Sequence, residues 1–246
     1  MHEIDGKPTT LREARKFDLV PSSTTVLHVF PKPGLENSIR WEQVLMTTQF
    51  PRKMFPDLSD WEYFQLIASK QKEKSEEAAR LGTVYHDANE AILSDTELPE
   101  SAGELPVEFF PAFKEWWDST GLKPLELEQS FASSLGYGGR IDCTAVDKDG
   151  VIWYIDWKTQ DTKEGKKVNY WETWPLQLES YARGEQNFLG ADIPQYEIMS
   201  VVISRTEPGR IESKTWLEND RHWNAFINCL ELWKYKNNYE PGWEAK

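Results

Sequence analysis

The second half of the chain alternates apolar and polar positions with a period of two. Leu125 to Phe131, Gly139 to Asp147 and Val151 to Lys158 are rich in β-branched and aromatic residues and predict three consecutive strands. Two more, Gln195 to Arg205 and Arg210 to Thr215, are divided by the turn signal Glu207-Pro208-Gly209. Elsewhere the spacing is helical. Ser59-Asp60-Trp61-Glu62 is a capping box that opens a helix running, in one or two pieces, to about Leu93, with the charged run from Lys70 to Glu77 as a solvated face or a break. Further helices are predicted from Glu108 to Ser119 and from Pro175 to Gly184, the latter with its proline in the first turn. A last helix runs from Asn219 to about Lys236, where Trp223, Phe226, Ile227 and Leu230 share one face. Residues 1–57, rich in Pro and Thr with a short helical pattern from Ile39 to Met46, read as an arm or cover over one compact domain, 58–246. The fold class is α/β, a mixed central sheet flanked by helices.

The turn between the second and third strands matters most for chemistry. A three-residue loop, Lys148-Asp149-Gly150 with Gly150 left-handed, sets Asp147 opposite Val151 and therefore Asp142 opposite Asp156. Opposed residues share a face, and Lys158 shares the face of Asp156, so two carboxylates and an amine converge. A two-residue loop would put the aspartates on opposite faces. The longer loop is expected. An acidic residue two before a lysine occurs six times in the chain, so the tripeptide alone is not informative. What singles out Asp156 is its place at the end of an apolar run, opposite another aspartate in an apolar strand. Two buried carboxylates need a cation between them, either a divalent metal or the side chain of Arg140 or Lys158 as a structural ion pair. The metal reading is preferred. Hard oxygen donors suit Mg2+ or Mn2+.

These residues, with four further segments in order, resemble the PD-(D/E)XK nucleases, in particular the RecB-type exonucleases of phages and of mitochondrial genome maintenance. Pro21-Ser22-Ser23-Thr24-Thr25-Val26-Leu27 is similar to the family's N-terminal segment, and Leu35 with Trp41 to the stretch after it. Gly82-Thr83-Val84-Tyr85-His86 resembles the RecB-type helix motif, the hairpin carries Gly-x-x-Asp and Asp-x-Lys-Thr, and Gln177 with Tyr181 resembles Gln-x-x-x-Tyr. The first aspartate lacks the preceding proline. The resemblance implies a restriction-endonuclease-like core and a metal held by His86, Asp142, Asp156 and the backbone carbonyl of Trp157. It implies that Lys158 positions or deprotonates the attacking water, that Gln177 and Tyr181 lie against the hairpin, and that Glu128 joins a second metal or the nucleophile's surroundings. The implied activity is Mg2+- or Mn2+-dependent hydrolysis of DNA from free single-stranded or frayed ends, in recombination, repair or phage DNA processing. The implied partners are DNA and a protein that anneals or binds single strands. The alternatives are a structure-specific endonuclease on the same core and a nucleic-acid-binding module whose site has decayed.

Charge complicates this picture. The chain carries 28 basic and 41 acidic residues, a net charge of −13, whereas nucleic-acid-binding proteins usually show a basic footprint. Lys163, Lys166 and Lys167, and further on Arg205, Arg210 and Lys214, are the local basic groups expected to meet phosphates. Few phosphate contacts and a shallow dependence of binding on log salt are expected. The hydroxyls of Ser22, Ser23 and Thr24 offer phosphate contacts or, equally, a capping turn. Of the twelve tryptophans, Trp171 or Trp174 is the candidate to stack on an unpaired base. Only Cys143 and Cys229 are present, too few for the four-cysteine iron-sulfur cluster of some RecB-type relatives. No apolar run approaches the roughly 18 residues of a membrane span, so a cytoplasmic setting is expected.

Overall fold

The computed structural model describes residues 3–4, 7–31, 33–189 and 195–241. The chain forms two compact units, Met1–Phe30 with His86–Lys246, and Pro31–Tyr85. This division differs from the expected arm of 1–57, because the first thirty residues belong with the sheet. Val26 and Leu27 enter its hydrophobic core, and the Tyr239 hydroxyl donates to the carbonyls of Ala14 and Leu19.

In chain order the elements are β1 (Glu3–Ile4), β2 (Lys7–Pro8), α1 (Leu11–Phe17), α2 (Ser23–Val26), α3 (Pro33–Gln49), α4 (Asp60–Leu93) and α5 (Phe109–Thr120). Then come β3 (Lys123–Ser133), β4 (Tyr137–Val146), β5 (Ile152–Gln160), α6 (Thr173–Leu189), β6 (Tyr196–Ser204), β7 (Ile211–Trp216) and α7 (Asn219–Asn237). β1 and β2 pair with each other. The other five strands form one mixed sheet in sequence order, antiparallel except for β5 against β6. That parallel pair is joined through α6, the crossover that parallel strands require. The chain is thus a mixed α/β protein whose five-stranded sheet is flanked by helices.

Alternation on β4 and β5 follows from burial on both sides. Ile141, Tyr137 and Tyr154 join the core beneath α6 and α7, with Leu178, Tyr181, Phe226 and Leu230 from those helices. Trp157 packs instead against α5, its ring centroid 5.6 Å from Phe113, 6.1 Å from Trp116 and 6.2 Å from Trp117. The second unit contains α3 and the first part of α4. Ser59 and Glu62 form the expected reciprocal cap at the start of α4. The charged run does not break this helix, since Lys70–Glu73, Lys72–Glu76 and Glu77–Arg80 pair at helical spacing on its surface. Among the described residues no helix is long and apolar enough to cross a membrane. Both cysteines are buried and unbridged.

Candidate metal centre

The β4–β5 loop has the expected length. Asp147 N–H donates to the Val151 carbonyl, Gly150 is left-handed at φ 84°, and Val146 pairs with Ile152 and Cys143 with Ile155. The Asp147 side chain accepts from the N–H groups of Asp149 and Val151, a local bond pattern that favours this turn. Continued by one rung, the register sets Asp142 against Asp156. There the joining contact is made by a side chain, because Asp142 Oδ2 accepts the Trp157 N–H at 2.7 Å. Trp157 therefore reaches the site through its backbone while its indole anchors the strand to α5.

Around this hairpin lie two linked groups of polar side chains. The first is His86 from α4, Glu128 from β3 and Asp142 from β4, whose ligand atoms lie within 4.8 Å of one another. His86 Nδ1 is 3.6 Å from Glu128 Oε1 and 3.7 Å from Asp142 Oδ1. Glu128 takes its place by an irregular route: in mid-strand, between the pairs Leu127–Cys143 and Gln129–Ile141, its backbone is left-handed at φ 52°. A non-glycine residue held there costs on the order of 1–3 kcal/mol, which the surrounding contacts must offset. Its other oxygen, Oε2, pairs with Arg140 Nε at 2.5 Å.

The second group centres on Asp156, whose side chain is 2% exposed. Lys158 Nζ lies 2.5 Å from Asp156 Oδ2, yet that oxygen takes no directed hydrogen bond. Gln177 Nε2 donates to Asp156 Oδ1 at 3.0 Å and also lies within hydrogen-bond distance of the Tyr181 hydroxyl. Lys158 is also 3.5 Å from Gln177 Oε1 and 5.9 Å from the centre of the Trp174 ring. Gln177 and Tyr181, four apart on α6, thus steady the lysine–carboxylate pair from above the sheet.

The electrostatics fit a cation site. Burial raises the Asp142 pKa, the neighbouring Asp156 charge raises it further, and His86 and Lys158 oppose the rise in part. Burial acts to lower the His86 pKa, but the charge of Asp142 and the hydrogen bond to Glu128 outweigh it and push it up to about 9. Burial, with the charges of Asp156 and Asp142, holds the Tyr181 pKa well above its ordinary value, so the hydroxyl stays neutral. Buried carboxylates that hold a proton or an imidazolium between them are short of positive charge. A divalent ion would supply it, and one imidazole with two or three carboxylates is a donor set suited to Mg2+ or Mn2+. Glu128, rather than Asp156, completes the tight triplet with His86 and Asp142.

The N-terminal hydroxyls act mainly in structure. Ser22 caps α2 by accepting the Thr25 N–H, and Ser23 is buried and donates to the Gly138 carbonyl at 3.1 Å. Together with Gly138 N–H to the Pro21 carbonyl, they fasten the segment to β4. Of the three, Thr24 alone is exposed. Trp174 is buried against the site, whereas Trp171 is 41% exposed. Arg205 and Arg210 are neutralised locally, by Asp161 and by Glu207 with Glu212. Arg210 also donates to the carbonyls of Lys163 and Lys166, holding the loop after β5 with Lys163, Lys166 and Lys167 exposed. Sequence reasoning missed Asn89, one turn beyond His86, which is fully buried with neither amide atom hydrogen-bonded. Its place at i+3 from His86 is the signal that could have found it.

Gly139 shows how closely packing and site are joined. A Cβ there would come within 2.8 Å of both the Phe131 and the Tyr181 rings. Gly139→Ala is expected to cost about 1–3 kcal/mol by overpacking, and to loosen Asp156 by displacing Tyr181 and hence Gln177. Urea unfolding, with Mn2+ titration of the folded variant, measures both; an unchanged midpoint would contradict the tight packing.

No protein-family profile and no curated protein matches the chain. Among solved structures it is similar to SSO0001, at 18% identity over 70% of this chain and 68% of that one, with a TM-score of 0.35. A likeness at that level carries no conclusion about fold or function.

Proposed function

We propose that this chain is a divalent-metal-dependent nuclease of the PD-(D/E)XK type that hydrolyses phosphodiester bonds of DNA from free ends. The observation that carries the reading is the partly buried meeting of His86, Glu128 and Asp142 beside a buried Asp156 paired with Lys158. Purely structural ion pairing accounts poorly for that set, because Lys158 and Arg140 each face one carboxylate and Asp142 remains destabilised by its neighbours. His86, Glu128, Asp142 and Asp156, with the Trp157 carbonyl, are the residues that would hold the ion. Bound there, Mg2+ or Mn2+ would supply Lewis acidity at the phosphoryl group and favour ionisation of water.

The chain's own residues divide the remaining work. Lys158 places a positive charge where negative charge grows on the phosphate, and its direct contact with Asp156 fixes where that charge sits. Gln177 and Tyr181 fix the position of Asp156. The exposed lysines of the loop after β5 offer a small basic area on an acidic molecule, consistent with few phosphate contacts. The RecB-type resemblance supports action at ends over cutting within a strand.

The test uses linear and covalently closed circular DNA, single- and double-stranded, with Mn2+, Mg2+ or EDTA. Metal-dependent loss of linear substrates alone is the expected result. Cutting of circles would make the protein an endonuclease, and no metal-dependent turnover on any substrate would reject the reading.

A further inference from the structure

We infer that Arg140 is the anion contact of this site: a guanidinium braced by Glu128 that presents its free edge to a phosphate group of the substrate. The inference rests on the reading of the site as one that receives phosphate esters. Arg140 lies two residues before Asp142 on β4, and its side chain is 63% exposed. Its Nε lies 2.5 Å from Glu128 Oε2, and among the described residues neither of its terminal nitrogens makes a hydrogen bond. The opposite oxygen of the same carboxylate faces His86. One carboxylate thus touches the candidate metal triplet on one side and the arginine on the other, which places the guanidinium at the lip of the cluster.

This differs from an ordinary surface ion pair. Glu128 is only 13% exposed and held by its left-handed backbone, so the arginine is braced against a fixed support. A guanidinium anchored through Nε keeps its planar terminal edge open, the geometry that receives two phosphate oxygens side by side. Its counterparts elsewhere are occupied: Arg205 and Arg210 are held by acidic side chains and loop carbonyls. In a chain of net charge −13, a cation at the lip also offsets the repulsion that a phosphate would meet there.

The experiment compares the intact protein with Arg140→Ala and Arg140→Lys. A 5′-phosphorylated oligodeoxynucleotide is titrated by fluorescence anisotropy with Ca2+, inorganic phosphate is titrated by calorimetry with Mg2+, and Mn2+ affinity is measured by the EPR signal of the free ion. Loss of a charge-assisted bond predicts that Arg140→Ala weakens binding of both anions about tenfold or more, with Lys intermediate because it restores charge without the fork. Mn2+ affinity is expected to fall clearly less than anion binding, since the metal-facing oxygen of Glu128 remains. Unchanged phosphate binding in Arg140→Ala, or no phosphate binding by the parent, overturns the inference. So does a fall in Mn2+ affinity that matches the fall in anion binding, which would make Arg140 only a support for Glu128. A parent protein that binds inorganic phosphate through Arg140 but no oligonucleotide upholds the anion contact while removing the nucleolytic reading.

Discussion

Asp156→Asn and Lys158→Ala are each expected to lower the proposed metal-dependent cleavage of linear DNA by on the order of 10³-fold or more. The two losses have different physical origins. Asn keeps the shape of Asp156 and can still accept from Gln177, but it removes the charge that a cation and Lys158 both need. Alanine at 158 removes the amine that pairs with a carboxylate that is 2% exposed. Breaking a buried pair from one side leaves an uncompensated charge, so Lys158→Ala is expected to melt below the parent in EDTA. Combining it with Asp156→Asn should recover most of that stability and none of the turnover. Circular dichroism melts and a Mn2+-supported cleavage assay read the two effects separately. Turnover near that of the parent in either single variant would remove the roles assigned here, and failure of the double variant to regain stability would show that the pair is not energetically coupled.

The register of the hairpin was legible because turn geometry and alternation leave little freedom. Gly150 accepts the left-handed conformation that closes a three-residue loop, and one rung fixes every other. The five strands and the last three helices were legible for the same reason: their apolar positions repeat cleanly. The N-terminal third was harder to read. Prolines in residues 1–57 suggested irregular chain, yet α3 runs for seventeen residues, and nothing in local pattern told that Val26 and Leu27 belong to the sheet's core. The charged run in α4 was ambiguous because lysine–glutamate pairs at helical spacing and a solvated break look alike in sequence. Glu128 was named through the resemblance rather than through the strand pattern. The register sets it opposite Asp142, where its backbone is left-handed and its side chain faces His86 and Arg140. It is this residue, rather than the second aspartate, that completes the triplet. The hydroxyls of Ser22 and Ser23 were read as phosphate contacts or as a capping turn; in the structure Ser22 caps α2 and Ser23 donates to the Gly138 carbonyl.

Trp157→Ala is expected to lower unfolding stability by about 3–5 kcal/mol, a large share of the roughly 5–15 kcal/mol typical of a domain. Its side chain is among the largest fully buried ones, edge-on to three aromatic rings of α5, and the central strand around it cannot collapse to fill the space. The same residue holds Asp142 through its backbone N–H, so loosening the indole should also loosen the candidate metal ligand. Phe113→Ala separates the two effects. It opens a cavity in the same aromatic cluster, where Phe113 is fully buried, but leaves Trp157 and its backbone bond to Asp142 in place. Both variants should unfold at lower urea. Measured on the folded fraction at low temperature, Mn2+ affinity should fall clearly in Trp157→Ala and hold in Phe113→Ala, with Trp157→Phe between the parent and the alanine variant in both respects. Stability of Trp157→Ala within about 1 kcal/mol of the parent would mean that the α5 cluster contributes far less than its burial implies. Equal loss of Mn2+ affinity in the two alanine variants would mean that the site responds to the softness of the whole layer rather than to the strand that carries Asp156 and Lys158.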